Sequence, residues 1–377
     1  MQDLICISHL RWDFVWQRPQ QLLSRLAQHY CILFVEEPVT DTEITQPYLE
    51  TYPGRTPGSQ PVTVMRLHVP SPEHFWIGHN DERTQHCYEQ LLCEYLGHKR
   101  CQEANLWLYT PMAAPFVKAI QPRLLIYDVM DELSAFKGAP AELKATEREM
   151  LEQADLIFTG GASLYRARQP YHENIHLFPS GVEIDHFARA DRERFGRPED
   201  MAELSSPILG YFGVIDERMD LPLLQHLATT HPEWNLVMLG PVLKIAAEDL
   251  PQAPNLHYLG MKSYEDLPSY LAHFDVALVP FAMNEATRYL SPTKTLEYLA
   301  AHKPVVSTPI HDIVELYGDY VRIGNTAQEF SDHIAVALAS SEEERAARRT
   351  QEQQLLSTHT WDNIAQQMRQ LIIRNNL

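Results

Sequence analysis

Ser291 and Pro292 are followed by Thr293, Lys294 and Glu297, and this short run carries the clearest chemical signal in the chain. Ser before Pro reads as an N-cap and a first helical residue. Leu296, Leu299 and Ala300 then form a buried stripe. Lys294 and Glu297, three apart, share a face turned away from it. A lysine in a first helical turn is opposed by the helix dipole. Its position makes sense where an anion is expected, because free N–H groups at a helix start bind phosphate and the lysine adds charge. Glu297, one turn on, can accept hydrogen bonds from ribose hydroxyls. The plainer reading is a solvated helix face with an exposed Lys–Glu pair, since such pairs are common and weak.

Two further groups have the right types for chemistry. Residues 208–218 read as a strand running into a loop. Gly213 in that loop would let backbone approach a ligand closely. Arg218 would offer two parallel N–H donors to a phosphate, or else is a surface arginine in a charged loop. Asp128, Asp131 and Glu132 follow an apolar run at 124–127. Three carboxylates at a strand end suggest acid/base work or a metal; helix capping by Asp128 or Asp131 is the competing reading.

These groups need a scaffold, and the apolar pattern supplies one. Apolar runs at 4–8, 31–35, 62–69, 106–109, 124–127, 156–159 and 175–178 alternate with helix-like stretches. That rhythm predicts a parallel sheet with helices on both faces. Residues 189–206 are charged and poor in apolar side chains. The rhythm then restarts at 208–214, 236–239, 256–259, 276–280, 304–307 and 320–323. The expected fold class is therefore α/β, with two Rossmann-like, doubly wound domains facing a cleft. The boundaries are 1–190, a linker at 191–206, 207–357, and a final helix at 358–377 that packs on one of the domains. Trp361, Ile364, Ala365, Met368, Leu371 and Ile372 share one face of that helix, and Thr360 could cap it. In such folds ligands bind beyond the carboxyl ends of the strands.

Composition narrows the functions. The chain has 377 residues, 45% apolar and 21% charged, which suits two ordinary folded domains. A formal charge of −19 without a Lys/Arg cluster argues against nucleic acid as a partner. The five cysteines lack metal-site spacing, and Cys6 and Cys31 read as small core residues. No apolar run reaches the roughly 18–20 residues of a membrane span, and no leader pattern is visible. The expected location is the cytoplasm, with a peripheral contact at the inner membrane face left open. Phe75, Trp76 and Ile77 could make that contact, or touch an acceptor, though core packing is the default for them.

Residues 291–306 resemble the donor-binding helix of the large family-4-like glycosyltransferases, which carry two Rossmann-type domains (the GT-B fold). Glu297, Ala300, Ala301, Pro304, Val305 and Val306 match the second half of the family's signature. Tyr289 stands where the first glutamate is usual, and Ser291 to Lys294 fits a Ser-Pro-x-Lys variant. The run from Trp12-Asp13 to Gln17-Arg18-Pro19-Gln20 resembles bacterial cell-surface polysaccharide transferases of the teichuronic-acid type. The resemblance extends over nearly the whole chain, through residues 127–132, 179–187 and 255–281.

The resemblance implies transfer of a sugar from a nucleotide-diphosphate sugar to a glycan or lipid-linked acceptor, in surface or exopolysaccharide synthesis and with retained configuration. The donor would be bound by Gly213, Arg218, Ser291, Thr293, Lys294 and Glu297. Trp12 could stack on a sugar ring, while Phe14 and Trp16 read as core. His9 or Asp13 would act on the acceptor hydroxyl if the reaction inverts, and Asp128 and Asp131 would be polar residues of the cleft. Residues 179–187 would be structural, with Gly181 making a turn. No cofactor and no metal are expected, because the carboxylates are spaced Asp-x-x-Asp and basic groups can neutralise the leaving diphosphate. A nucleotide-sugar epimerase and a non-catalytic scaffold of the same fold are the alternatives. A dehydrogenase is disfavoured, since no Gly-x-Gly-x-x-Gly follows a strand.

Overall fold

The computed structural model describes residues 1–56, 60–75, 77–136 and 138–376. The chain divides into two compact units. One comprises Met1–Gly160, Leu164–Phe178 and Asp362–Leu377; the other comprises Gly161–Ser163 and Pro179–Trp361.

The first unit holds strands β1 (Gln2–Ile7), β2 (Tyr30–Val35), β3 (Val39–Asp41), β4 (Tyr48–Gly54), β5 (Val62–Pro70), β6 (Asn105–Leu108), β7 (Leu124–Val129), β8 (Leu156–Thr159) and β9 (Ile175–Leu177). Their order is β3-β5-β2-β1-β6-β7-β8-β9, with β4 added antiparallel to β5. The central pairs are parallel and their residues mostly buried on both faces, which is why they read as continuous apolar runs. Strand order reverses between β1 and β6, so this is where a doubly wound sheet opens a crevice beyond its strand ends.

The second unit holds β10 (Ile208–Phe212), β11 (Asn235–Leu239), β12 (Leu256–Tyr258), β13 (Val276–Val279), β14 (Val305–Ser307) and β15 (Arg322–Ile323). They run in the order β12-β11-β10-β13-β14-β15, all parallel. This is the six-stranded dinucleotide-fold order, and its reversal lies between β10 and β13. Tyr298 ties the helix Lys294–Ala300 to the sheet: its hydroxyl accepts the Phe212 N–H at 3.0 Å, and its ring meets that of Phe212 edge-on at 4.9 Å.

Two expectations about packing divide. The helix Trp361–Asn375 buries Trp361, Ile364, Ala365, Met368 and Ile372 as its periodicity predicts. Its Asp362 receives Arg25 Nε at 2.9 Å within the first unit. Cys31, by contrast, is exposed and not a core residue. It occupies the second position of β2, whose burial alternates there before the strand enters the core.

Candidate functional site

Gly213 immediately follows β10, at the reversal point of the second sheet. Its φ of +139° is a glycine conformation. Its N–H donates to the Leu239 carbonyl at 2.8 Å. Gly240, with φ +143°, follows β11, and a Cβ there would overlap the Gly213 carbonyl. The two loops thus pack backbone on backbone. A Cβ on Gly213 would also overlap the Lys294 side chain, with Nζ 2.7 Å away. The missing side chain makes room for the lysine, whose Nζ lies 6.0 Å from the Tyr211 ring centroid.

The helix carrying Lys294 starts later than its sequence suggests. It spans Lys294–Ala300, with Thr293 at the cap position and no side-chain cap bond. Ser291 and Pro292 lie in the preceding loop. The Pro292 carbonyl accepts only a long bond, from the Thr295 N–H at 3.4 Å, so the chain becomes fully helical one step further on. Ser291 is therefore not the N-cap.

Lys294 and Glu297 do share a face, but it is half-buried rather than solvated. Burial lowers the Lys294 pKa, with Glu297 opposing that shift and Arg218 adding to it. Burial likewise pushes the Glu297 carboxyl up to about 7; Lys294 pulls it down and Glu183 pushes it further up. Glu183, which sequence reasoning read as part of a structural turn, lies within electrostatic reach of Glu297. Its Oε2 accepts the Tyr264 hydroxyl at 2.6 Å, and Tyr264 stacks on His186 at 4.3 Å. A carboxylate just before a helix, at Glu183-Ile184, was the available signal.

Arg218 comes near Lys294 but not with an idle fork. Its Nε and Nη2 donate to the two Asp216 oxygens at 2.9 and 2.7 Å, and its backbone N–H donates to Asp216 Oδ1 at 3.0 Å. Asp216 is buried, so this pair fixes the loop after Gly213 and presents a guanidinium whose one edge is already taken.

In the first unit, Asp128 is half of a buried ion pair. Arg18 Nη2 and Nε reach its Oδ1 and Oδ2 at 3.0 and 3.1 Å, and Arg18 Nη1 donates to the Phe178 carbonyl at 2.8 Å. Their side chains are 3% and 0% exposed. Arg18 is the first residue of the helix Arg18–Leu26, where the dipole disfavours a cation. Burial disfavours its charge, and Asp128, Tyr109 and Asp131 together more than offset that, leaving its pKa raised. Asp131 is half-buried and within electrostatic reach of Arg18. Glu132 is bound to Arg168 at 2.5 Å, and Glu147 completes that cluster at 3.1 Å.

His9 follows β1 at the reversal point of the first sheet. Burial takes its pKa down to about 4, against a hydrogen bond from its ring to the Tyr109 backbone that raises it. Its Nδ1 is buried without a hydrogen-bond partner among the described residues. At neutral pH it is an uncharged imidazole too weak to serve as the proposed base. Asp13 is exposed, beside Tyr52. The aromatic assignments invert. Trp12 is 1% exposed, packs edge-on against Phe34 at 5.0 Å and donates Nε1–H to the Arg55 carbonyl at 3.0 Å, so no sugar can stack on it. Phe14, read as core, is exposed. Phe75 is exposed and Ile77 buried, while Trp76 lies outside the described residues.

Among the described residues no group of three or more His, Cys, Asp or Glu is arranged to hold a metal ion. Nor is any helix among them long and apolar enough to cross a membrane.

Residues 219–370 match the family model described as "Glycosyl transferase-like". A Bacillus subtilis (strain 168) protein named for teichuronic acid biosynthesis, the glycosyltransferase TuaH, is 24% identical over 186 residues. That match covers 48% of this chain and 46% of the relative, so it spans about half of each. Sucrose-phosphate synthase from Thermosynechococcus elongatus superposes with a TM-score of 0.72 at 16% identity, covering 99% of both chains. Anabaena HepE, solved in complex with UDP-glucose, gives 0.70 at 14% identity over 99% of this chain and 100% of its own. The UDP-forming alpha,alpha-trehalose-phosphate synthase from Burkholderia vietnamiensis gives 0.70 at 13%, covering 99% of both. The structural neighbours are GT-B glycosyltransferases, and the resemblance read from the sequence is borne out.

Proposed function

We propose that this chain, glycosyltransferase-like over residues 219–370 and built on the GT-B fold, transfers a sugar from a nucleotide-diphosphate sugar held by its second unit. One observation carries the reading. Lys294 and Glu297 stand together, half-buried, against a side-chain-free Gly213 at the reversal point of the second sheet. A cation in a desolvated place beside an open backbone suits a diphosphate, and a neighbouring carboxylate suits ribose hydroxyls. Thr293 and Ser291, in the turn before Lys294, are proposed to border the same diphosphate.

On this reading Lys294 and Arg218 stabilise negative charge as the anomeric bond to the diphosphate breaks. Glu297 accepts hydrogen bonds from the ribose and is drawn toward its ionised form by them. No cofactor is required by this chemistry. The acceptor is a glycan or lipid-linked glycan, by analogy with the teichuronic-acid relative, and the protein works in the cytoplasm, at or near the inner membrane face. Retention of configuration is favoured. Of the two bases an inverting transfer could use, burial holds His9 at about 4 and Asp13 is exposed, whereas a retaining transfer needs no dedicated base.

The test is a thermal-shift panel of UDP, GDP, ADP and CMP with their common sugar conjugates, on wild type and Lys294→Ala. A ligand at 100 times its dissociation constant stabilises by about 2.7 kcal/mol. Stabilisation by one nucleoside diphosphate, lost in the variant, is expected. A folded wild type that responds to none of them sinks the proposal.

A further inference from the structure

A polar cavity sits at the amino ends of β14 and β15. It encloses about 250 Å³ and is lined by residues that precede or begin β14 and β15, among them Pro304, Val305 and Arg322, and by Arg345 and Arg348 from the helix Glu342–Thr358. Gly213 follows the carboxyl end of β10, whereas this cavity lies at the amino ends of the neighbouring strands. None of the residues that line it is among those proposed to hold the donor. The cavity is thus distinct from the proposed donor site.

Its chemistry is cationic in an acidic protein. Three guanidinium groups (Arg322, Arg345, Arg348) face two carboxylates (Glu344, Asp319). Of those carboxylates, Glu344 is engaged: it closes the capping box of its helix by accepting the Ser341 N–H at 2.8 Å. Arg348 is partly satisfied, reaching the His302 carbonyl and Glu352 at 2.8 and 2.9 Å. Arg345 is half-buried, and its Nε, like the Nε of Arg348 despite the latter's 2.9 Å ion-pair contact, is shielded from solvent with no hydrogen-bond partner among the described residues. A shielded guanidinium N–H without an acceptor costs free energy until something accepts it.

We infer that this cavity binds a small phosphate-bearing anion, with Arg345 and Arg322 as its principal contacts. The volume falls below the roughly 300–1,000 Å³ of pockets for drug-sized ligands, which favours inorganic phosphate or a phosphate monoester head over a whole nucleotide sugar. Arginine suits such a group because its planar fork matches phosphate oxygens. The surrounding field agrees. Burial lowers the pKa of Arg348, with Arg345 and Arg349 adding to the effect and Glu352 opposing it. Lys303, alongside, is taken down to about 8 by burial, again with Arg349 and Arg345 contributing and Asp275 and Asp191 opposing. Cations that depress one another this way are relieved by an anion placed among them.

The phosphate could arrive free in solution or on a lipid headgroup, and two arms separate these sources. In the first, the full chain is titrated calorimetrically with inorganic phosphate at constant ionic strength, with UDP in excess to occupy the donor site. Wild type and Lys294→Ala are expected to bind phosphate alike. The double variant R322Q/R345Q is expected to bind about tenfold or more weaker, the loss of one or more hydrogen bonds to a charged group. In the second arm, flotation with phosphatidic-acid vesicles against phosphatidylcholine vesicles is compared for wild type and R322Q/R345Q. Arginine-dependent binding of free phosphate alone assigns a soluble ligand, and arginine-dependent vesicle binding assigns a lipid phosphate. A response in neither arm, or one that R322Q/R345Q retains in full while Lys294→Ala loses it, overturns the inference. Circular dichroism of each variant checks that folding is intact.

Discussion

Glu297→Gln separates the candidate site from an ordinary surface pair by its effect on pH dependence. A surface glutamate would titrate near its ordinary 4.5, whereas burial holds Glu297 at about 7. The folded state therefore binds a proton more tightly than the unfolded state does. Stability from this group is fully present below pH 4.5 and is lost as pH rises through 7. The difference between 4.5 and about 7, at about 1.36 kcal/mol per pKa unit, comes to about 3 kcal/mol between acid and mildly alkaline solution. Solvent reaching the half-buried carboxyl reduces this, so about 1–3 kcal/mol is the working expectation. Glutamine keeps the shape and cannot ionise. Urea denaturation from pH 5 to 8.5 should show wild type losing stability relative to Glu297→Gln across pH 5–8. Nucleotide binding should run the other way, because a ribose hydroxyl donates best to the carboxylate: wild-type affinity should fall as pH drops below 7, and the variant should bind weakly at every pH. Parallel stability curves for the two proteins would refute the desolvated geometry.

Gly213→Ala should lower stability by about 1–3 kcal/mol, since alanine is strained at φ +139°, and should abolish the nucleotide-induced thermal shift by displacing Lys294. Arg18→Leu should cost about 3–5 kcal/mol in urea denaturation by stranding a buried Asp128, and Arg18→Leu/Asp128→Leu should recover much of that loss. Maleimide labelling of the native protein should modify Cys31 fastest and leave Cys6, Cys93 and Cys101 protected, with Cys31→Ser removing the fast phase.

Much of the fold is legible in the apolar pattern because parallel strands buried on both faces leave uninterrupted runs. Each run singled out between residues 4 and 323 contains a strand. The exceptions are β3 and β4. Both lie at the β5 edge of their sheet, β4 contains Pro53, and its residues are largely half-exposed, so nothing forces an apolar run. Site residues are less legible because their roles depend on partners distant in sequence. Asp128 and Arg18 are 110 residues apart, and the ion pair they form is invisible until the sheet brings β7 beside the start of a helix. Trp12 and Phe14 differ by two positions in a tight turn, where no periodicity tells which of them turns inward. The Lys294–Glu297 spacing did announce a shared face, but only the Gly213 loop packed over it decides that the face is desolvated.

The ion pair at Arg18–Asp128 and the half-buried pair at Lys294–Glu297 make opposite use of the same residue types. Arg18 makes four hydrogen bonds, three to the two Asp128 carboxylate oxygens and one to the Phe178 carbonyl, and both side chains are almost wholly buried. Such a pair holds β7, the first helix and the residue after β9 together, and a ligand could enter it only by breaking it. Lys294 and Glu297 instead both shift toward neutrality, the lysine downward and the glutamate up to about 7. Their mutual attraction is too weak to offset the desolvation each suffers. A site left in that condition gains from any ligand that supplies an anion to the lysine and hydroxyl donors to the glutamate, and a nucleoside diphosphate carries both on one molecule. The energetic contrast, and not the mere presence of charged residues, separates the structural pair from the pair proposed to bind the donor.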